Sequence, residues 1–109
     1  MWGKYDKLRE PLIRRARALG YALAVHGSCK RDLDLIAVPW VENATNEVSL
    51  AEAIFEEIKK ITFVFMPPGP YPRIKPHGRM SWSFALSFDP GADYIDLSVI
   101  SGVNNHAIR

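Results

Sequence analysis

Cysteine is almost missing from this chain, with Cys29 the single example in 109 residues. No intrachain disulfide can form, and a thiolate-rich metal centre is excluded. The histidines His26, His77 and His106 show no zinc spacing. Long apolar runs are lacking as well. No stretch approaches the roughly 20 residues that a membrane span needs, and no apolar segment follows a basic start. A cytoplasmic protein with no membrane contact is the expectation. A strong excess of charge is also absent. The 14 basic and 12 acidic residues leave a net charge of +2, too little by itself to argue for a nucleic-acid partner. No internal repeat is found.

What remains describes an ordinary folded domain. Hydrophobic residues make up 48% and charged residues 24%, which suits one core and a single domain over residues 1–109. The basic residues cluster at Arg14-Arg15-Arg17, at Lys30-Arg31 and from Arg73 to Arg79. The first cluster lies on a helix and reads as a solvated face. The other two lie in turns or loops, where charge is more often functional.

The spacing of Leu8, Leu12, Ile13, Ala16 and Leu19 predicts a helix from about Asp6 to Leu19, with arginines on its other face. Asp6 can cap it, although Pro11 would let the regular helix begin nearer Glu10; Gly20 ends it. Tyr21 to His26 and Asp32 to Val38 read as strands, the second ended by Pro39. The link 27–31 is too short for a crossover helix, so they form an antiparallel hairpin. Ser49-Leu50-Ala51-Glu52 is a capping box, opening a helix to about Lys60 that buries Leu50, Ile54, Phe55 and Ile58. A short strand is expected over Ile61 to Met66, then an irregular loop from Pro67 to Gly78 that holds five prolines and two glycines. Arg79 to Phe88 alternates, with Met80, Trp82, Phe84, Leu86 and Phe88 on one side and Ser81, Ser83, Ala85 and Ser87 on the other. Asp89-Pro90-Gly91 turns the chain and Tyr94 to Ile100 returns as a partner strand. The tail from Ser101 to Arg109 reads as loose. The expected fold is α+β, a mixed or antiparallel sheet of four to five strands with two helices on one face.

Chemistry gathers in the run His26-Gly27-Ser28-Cys29-Lys30-Arg31-Asp32-Leu33-Asp34-Leu35. Side chains two apart on a strand share a face, so Asp32 and Asp34 project together. Two adjacent carboxylates both ionise comfortably only when a cation or hydrogen-bond donors compensate them, and hard oxygen donors suit Mg²⁺ or Mn²⁺. The plainer alternative is a polar strand end with Asp32 paired to Lys30 or Arg31. Gly27-Ser28, directly after a buried strand, offers backbone amides and a hydroxyl to an anion. Asp96 sits inside the apolar run Tyr94-Ile95-Asp96-Leu97-Ser98-Val99, where an ionised carboxylate needs a partner. A sheet that brings Asp96 beside Asp32 and Asp34 would make a site for two metal ions in phosphoryl transfer.

A strand, Gly-Ser, Asp-x-Asp and a later Asp on a separate strand together resemble the nucleotidyltransferase superfamily, including the polymerase-beta palm and the minimal nucleotidyltransferases. More narrowly, His26-Gly27-Ser28, Arg31-Asp32-Leu33-Asp34-Leu35-Ile36-Ala37-Val38-Pro39-Trp40, Lys75-Pro76-His77-Gly78-Arg79 and Ile95-Asp96-Leu97-Ser98-Val99 resemble small phage and prophage proteins of this type. The resemblance implies that Gly27 and Ser28 cradle phosphate and that Asp32, Asp34 and Asp96 are the metal-binding catalytic acids. It also implies that Mg²⁺ or Mn²⁺ assists transfer of a nucleoside monophosphate from a nucleoside triphosphate to an acceptor, in the host cytoplasm if phage-encoded. Only Cys29-Lys30-Arg31 separates the Gly-Ser pair from the acids, where most active members carry a helical turn. Lys30 and Arg31 would then hold phosphate as point charges.

Arg73, Lys75, His77 and Arg79 form a second basic group that can contact substrate or a nucleic-acid backbone, or serve as a solvated loop. Trp40, Trp82 and Tyr94 can stack on a base, although the alternation puts Trp82 in the core. His26 reads as structural, and Cys29, without a histidine–acid partner, as incidental. Three functions stay open: a nucleotidyltransferase, a catalytically inactive module that binds nucleotide, nucleic acid or protein, and a metal-dependent phosphodiesterase using the same acids.

Overall fold

The computed structural model describes residues 2–27, 32–62, 64, 73–75, 78–86 and 94–100. After a short 3-10 turn (Gly3–Tyr5) come helix α1 (Asp6–Ala18), strands β1 (Tyr21–His26) and β2 (Leu33–Pro39), helix α2 (Glu47–Ile61), and strands β3 (Arg73–Lys75), β4 (Arg79–Ala85) and β5 (Tyr94–Val99). The strands form one mixed sheet in the order β1-β2-β5-β4-β3. β1 and β2 pair antiparallel as the short link requires, β2 and β5 pair parallel, and β4 pairs antiparallel with both β5 and β3.

Both helices bury their apolar stripes against the sheet. Leu8, Leu12 and Ala16 of α1 and Leu50, Ala51, Ile54 and Ile58 of α2 meet Leu33, Leu35, Ala37, Trp82, Phe84, Ile95, Leu97 and Val99 in one core. Full burial of each large aliphatic side chain contributes about 1.5–3 kcal/mol before conformational entropy is subtracted. Phe55, half-buried at the edge, stacks on Phe84 with ring centroids 5.7 Å apart.

Several local expectations are corrected. α1 begins at Asp6 and runs through Pro11; Asp6 is its first residue, and the capping position falls on Tyr5 with no side-chain cap. α2 begins two residues before the expected box, because Asn46 Oδ1 accepts the Ser49 amide at 2.8 Å and takes the capping role. Asn46 and Ser49 are both good caps three residues apart, and the approach of the chain decides between them. No strand starts at Ile61, which ends α2 with Thr62 as its cap; Val64 packs on the core outside any strand. Within the expected irregular loop, Arg73–Lys75 is instead an edge strand on β4. Pairing with an existing strand overrides the proline-rich surroundings, since an edge strand needs a free face on only one side. β4 stops at Ala85, β5 at Val99, and β2 runs one residue later than expected, including Pro39. The expected turn at Asp89-Pro90-Gly91, the tail 101–109 and the segment 65–72 lie outside the described residues.

Candidate functional site

One face of the sheet is left uncovered by the two helices, although Ser81, Ser98 and Ala85 on it are buried. Side chains alternate along each strand, so the residues between the core positions point away from the helices. These are Ala22, Ala24 and His26 on β1, Asp34, Ile36 and Val38 on β2, Asp96 and Ser98 on β5, and Ser81 and Ser83 on β4.

The register places four of them in one row: His26 opposite Asp34, Asp34 opposite Asp96, and Asp96 opposite Ser83. Neighbouring strands lie about 4.8 Å apart, so the two carboxyl groups are forced together. Burial and the facing Asp96 carboxylate push the Asp34 carboxyl above its ordinary range, a hydrogen bond with Asp96 and the charge of Asp32 add to this, and His26 opposes it. Asp96 is also held by the Ser83 hydroxyl, which donates to its Oδ1 at 2.5 Å. Asp32 lies just before β2, and its Oδ1 accepts the Tyr94 amide at 3.2 Å.

Gly27 adopts φ +89°, and a Cβ there would lie 3.2 Å from Asp34 Oδ2. Glycine is therefore needed twice at this position, for its left-handed backbone and to keep the space before the carboxylate clear.

Asp34 and Asp96 thus meet directly, with Asp32 near enough to act on Asp34 electrostatically but tied to a backbone amide. Among the described residues no group of three or more His, Cys, Asp or Glu side chains gathers closely enough to hold an ion. The donor chemistry of the facing pair does suit a hard divalent cation, because two carboxylates that repel each other are the arrangement such an ion relieves. Ser28, Cys29, Lys30, Arg31 and His77 lie outside the described residues. Arg73 is exposed and Arg79 half-buried at the β3–β4 edge.

The aromatic candidates separate. Trp82 is core, 5% exposed. Trp40 is exposed but sits at the far end of the β1–β2 hairpin, beside a cleft lined by Arg17, Gly20, Asn43 and Thr45. Tyr94, 43% exposed, is the aromatic next to the acids. Sequence reasoning missed Ser83 as the partner of Asp96. Its place on the polar side of the alternating strand was visible, but the register with β5 was not.

The five-stranded mixed sheet with two helices on one face defines a nucleotidyltransferase-like fold. The magnesium- and 3′-dATP-bound structure of the Cid1 poly(U) polymerase matches it with a TM-score of 0.51 and 17% identity, over 86% of this chain and 28% of that one. Its MgGTP-bound form matches at 0.48 and 15% identity, covering 94% and 31%. A cytoplasmic RNA terminal U-transferase matches at 0.43 and 18%, covering 86% and 26%. The chain therefore spans less than a third of each of these proteins. No protein-family profile matches the sequence, and no curated protein matches it significantly. No helix among the described residues is long and apolar enough to cross a membrane.

Proposed function

We propose that the chain is a metal-dependent nucleotidyltransferase, of the small phage and prophage type, that moves a nucleoside monophosphate from a nucleoside triphosphate to an acceptor hydroxyl. The observation that carries this is the facing pair Asp34 and Asp96, beside Gly27 on the open face of a nucleotidyltransferase-like sheet. Asp34 and Asp96, with Asp32 beside them, would hold Mg²⁺ or Mn²⁺. When bound, such an ion neutralises triphosphate charge and favours ionisation of the acceptor hydroxyl.

The chain's own residues do the rest. Ser83 fixes the Asp96 carboxylate, and Gly27 leaves room for a phosphate in front of Asp34. Ser28, Lys30 and Arg31, in the link between β1 and β2, would contact the triphosphate. The acceptor oxygen bonds to the α-phosphorus, the α–β bridging bond breaks, pyrophosphate leaves with the electron pair, and a carboxylate of the pair takes the hydroxyl proton.

The test is thermal unfolding with Mn²⁺ and each nucleoside triphosphate. At about ten times Kd the stabilisation is about 1.4 kcal/mol, or roughly 6–10 °C. Asp34→Asn should remove it, and pyrophosphate should appear when an acceptor is present. No shift with any nucleotide and metal overturns the proposal. A shift without pyrophosphate release across a panel of acceptors would favour a binding module that has lost catalysis.

A further inference from the structure

The two edges of the sheet differ in how they are protected. β3 is three residues long, and two of them, Arg73 and Lys75, are basic; shortness and charge both keep an edge from pairing with another chain. β1, at the opposite edge, runs for six residues as Tyr21-Ala22-Leu23-Ala24-Val25-His26. It contains no lysine, arginine, carboxylate or proline, and its register with β2 is continuous, with no bulge. An edge of this kind is a template for a further strand.

The phase of the hydrogen bonding fixes which backbone groups this edge offers. The Trp40 amide donates to the Gly20 carbonyl at 2.9 Å, so Gly20 and Trp40 are a hydrogen-bonded pair. Such pairs recur at every second residue of an antiparallel ladder. The backbone of Ala22, Ala24 and His26 is therefore turned inward, toward Val38, Ile36 and Asp34. The N–H and C=O groups of Tyr21, Leu23 and Val25 point outward, and none has a backbone partner among the described residues.

We infer that β1 pairs antiparallel with β1 of a second copy of this chain, about a twofold axis at Leu23. A twofold contact needs a surface complementary to itself, and this strand provides one. With Leu23 opposite Leu23 and Tyr21 opposite Val25, every outward group of the three residues finds a partner, and only this axis pairs all of them. The residues between become the close, non-hydrogen-bonded pairs, Ala22 of each copy opposite Ala24 of the other. Both are exposed alanines, small enough for Cα atoms about 4.5 Å apart. Beside them on the uncovered face lie Ile36, opposite Ala24, and Val38, opposite Ala22 and 42% exposed. The pairing joins these apolar residues into one patch across the axis. On the other face the half-buried Val25 gains Tyr21 of the second copy as a neighbour. No Asp, Glu, Lys or Arg lies on β1, so no like charges meet along the strand. The five strands of each copy then form one continuous sheet, with both Asp34–Asp96 pairs on the same side and the two Asp34 residues about 25 Å apart in a flat sheet. A paired strand about 20 Å long is at the low end of interface size, so the expected Kd is about 10–100 µM. None of this depends on the transferase proposal.

The test is sedimentation equilibrium of the full chain from about 5 to 500 µM, which brackets that Kd, on variants whose folding is checked by circular dichroism. Ala22 and Ala24 are exposed, so charge can be placed there without entering the core. Ala22→Lys/Ala24→Lys sets like charges across both close pairs and should weaken dimerisation about tenfold. Ala22→Lys/Ala24→Glu sets opposite charges across the same two pairs and should return the Kd to within about threefold of the unsubstituted chain. Hydrogen exchange gives a second reading at single amides. Those of Tyr21, Leu23 and Val25 should slow as concentration rises, whereas those of Ala22 and Ala24, bonded to β2, should be protected throughout. A chain that stays monomeric at 500 µM overturns the inference, and so does a dimer that the two lysines leave as tight as before. A lysine–glutamate variant no tighter than the lysine–lysine one overturns the antiparallel register about Leu23. Exchange at Tyr21, Leu23 and Val25 that does not change with concentration overturns the β1 edge as the contact.

Discussion

The two faces of the sheet are built from alternate residues of the same strands and follow opposite rules. Beneath the helices, Leu33, Leu35, Phe84, Ile95, Leu97 and Val99 have no exposure at all. One residue along in each strand, the open face holds Asp34 against Asp96, with Ser83 and His26 on either side of them. The covered face stabilises the fold by removing apolar surface from water. The open face tolerates two carboxylates in contact because solvent or a ligand can reach them, and the rigid layer beneath keeps them from moving apart. A site that repels itself in the absence of ligand needs a neighbouring region that more than offsets the repulsion.

Substitutions on the two faces should therefore differ in size and in sign. The largest effect should come from Phe84→Ala on the covered face. It removes the ring stacked on Phe55 and should cost about 3–5 kcal/mol in urea unfolding. A loss below 1 kcal/mol would show that this face is not the main source of stability.

A smaller loss should follow from Tyr21→Phe. The Tyr21 hydroxyl donates to the Thr45 carbonyl at 2.7 Å, tying β1 to the loop before α2, and its removal should cost about 1 kcal/mol. Burial, with Glu47 assisting, pushes this phenol up from 10.0 to about 12. The native state thus holds its proton more tightly than the unfolded chain does. The associated stability is complete below pH 10 and is lost as pH rises toward about 12. In unfolding measured across that window, Tyr21→Phe should lack this alkaline component.

The smallest change, and the one of opposite sign, should come from the open face. In metal-free protein at neutral pH, Asp34→Asn should raise Tm by roughly 2–4 °C, since it relieves repulsion worth a fraction of a kcal/mol in a chain of this size. Because the folded carboxyl is raised, its favourable contribution is present at acid pH and lost as pH rises through the folded value. The variant should accordingly flatten that part of the pH–stability profile. A lowered Tm would mean that Asp34 stabilises the fold, and the contrast between the faces would collapse.

How much of this was legible in the chain depends on periodicity. The hairpin of β1 and β2 and the strands β4 and β5 were readable because apolar residues alternate and the links are short. The helices were readable from their 3.6-residue stripes. β3 was not, since Arg73-Ile74-Lys75 is too short for any period and stands among prolines. The start of α2 was misplaced because Asn46 and Ser49 offer equally good caps, and only the path of the preceding loop separates them. Asp32, Asp34, Gly27 and Asp96 were visible as residues that the local pattern does not require. Ser83 was hidden, because its importance comes only from standing opposite Asp96.

Local chemistry was thus settled along the chain: which segments curl or extend, which side chains share a face, and which carboxylates lie on strands. Only the folded sheet decided that β2 and β5 run parallel with Asp34 level with Asp96, and that Ser81 and Arg79 continue the same face toward the edge. The reason is physical. Alternation and helical period are properties of neighbouring residues, whereas the pairing of strands about 60 residues apart is chosen by the way two helices cover one shared core.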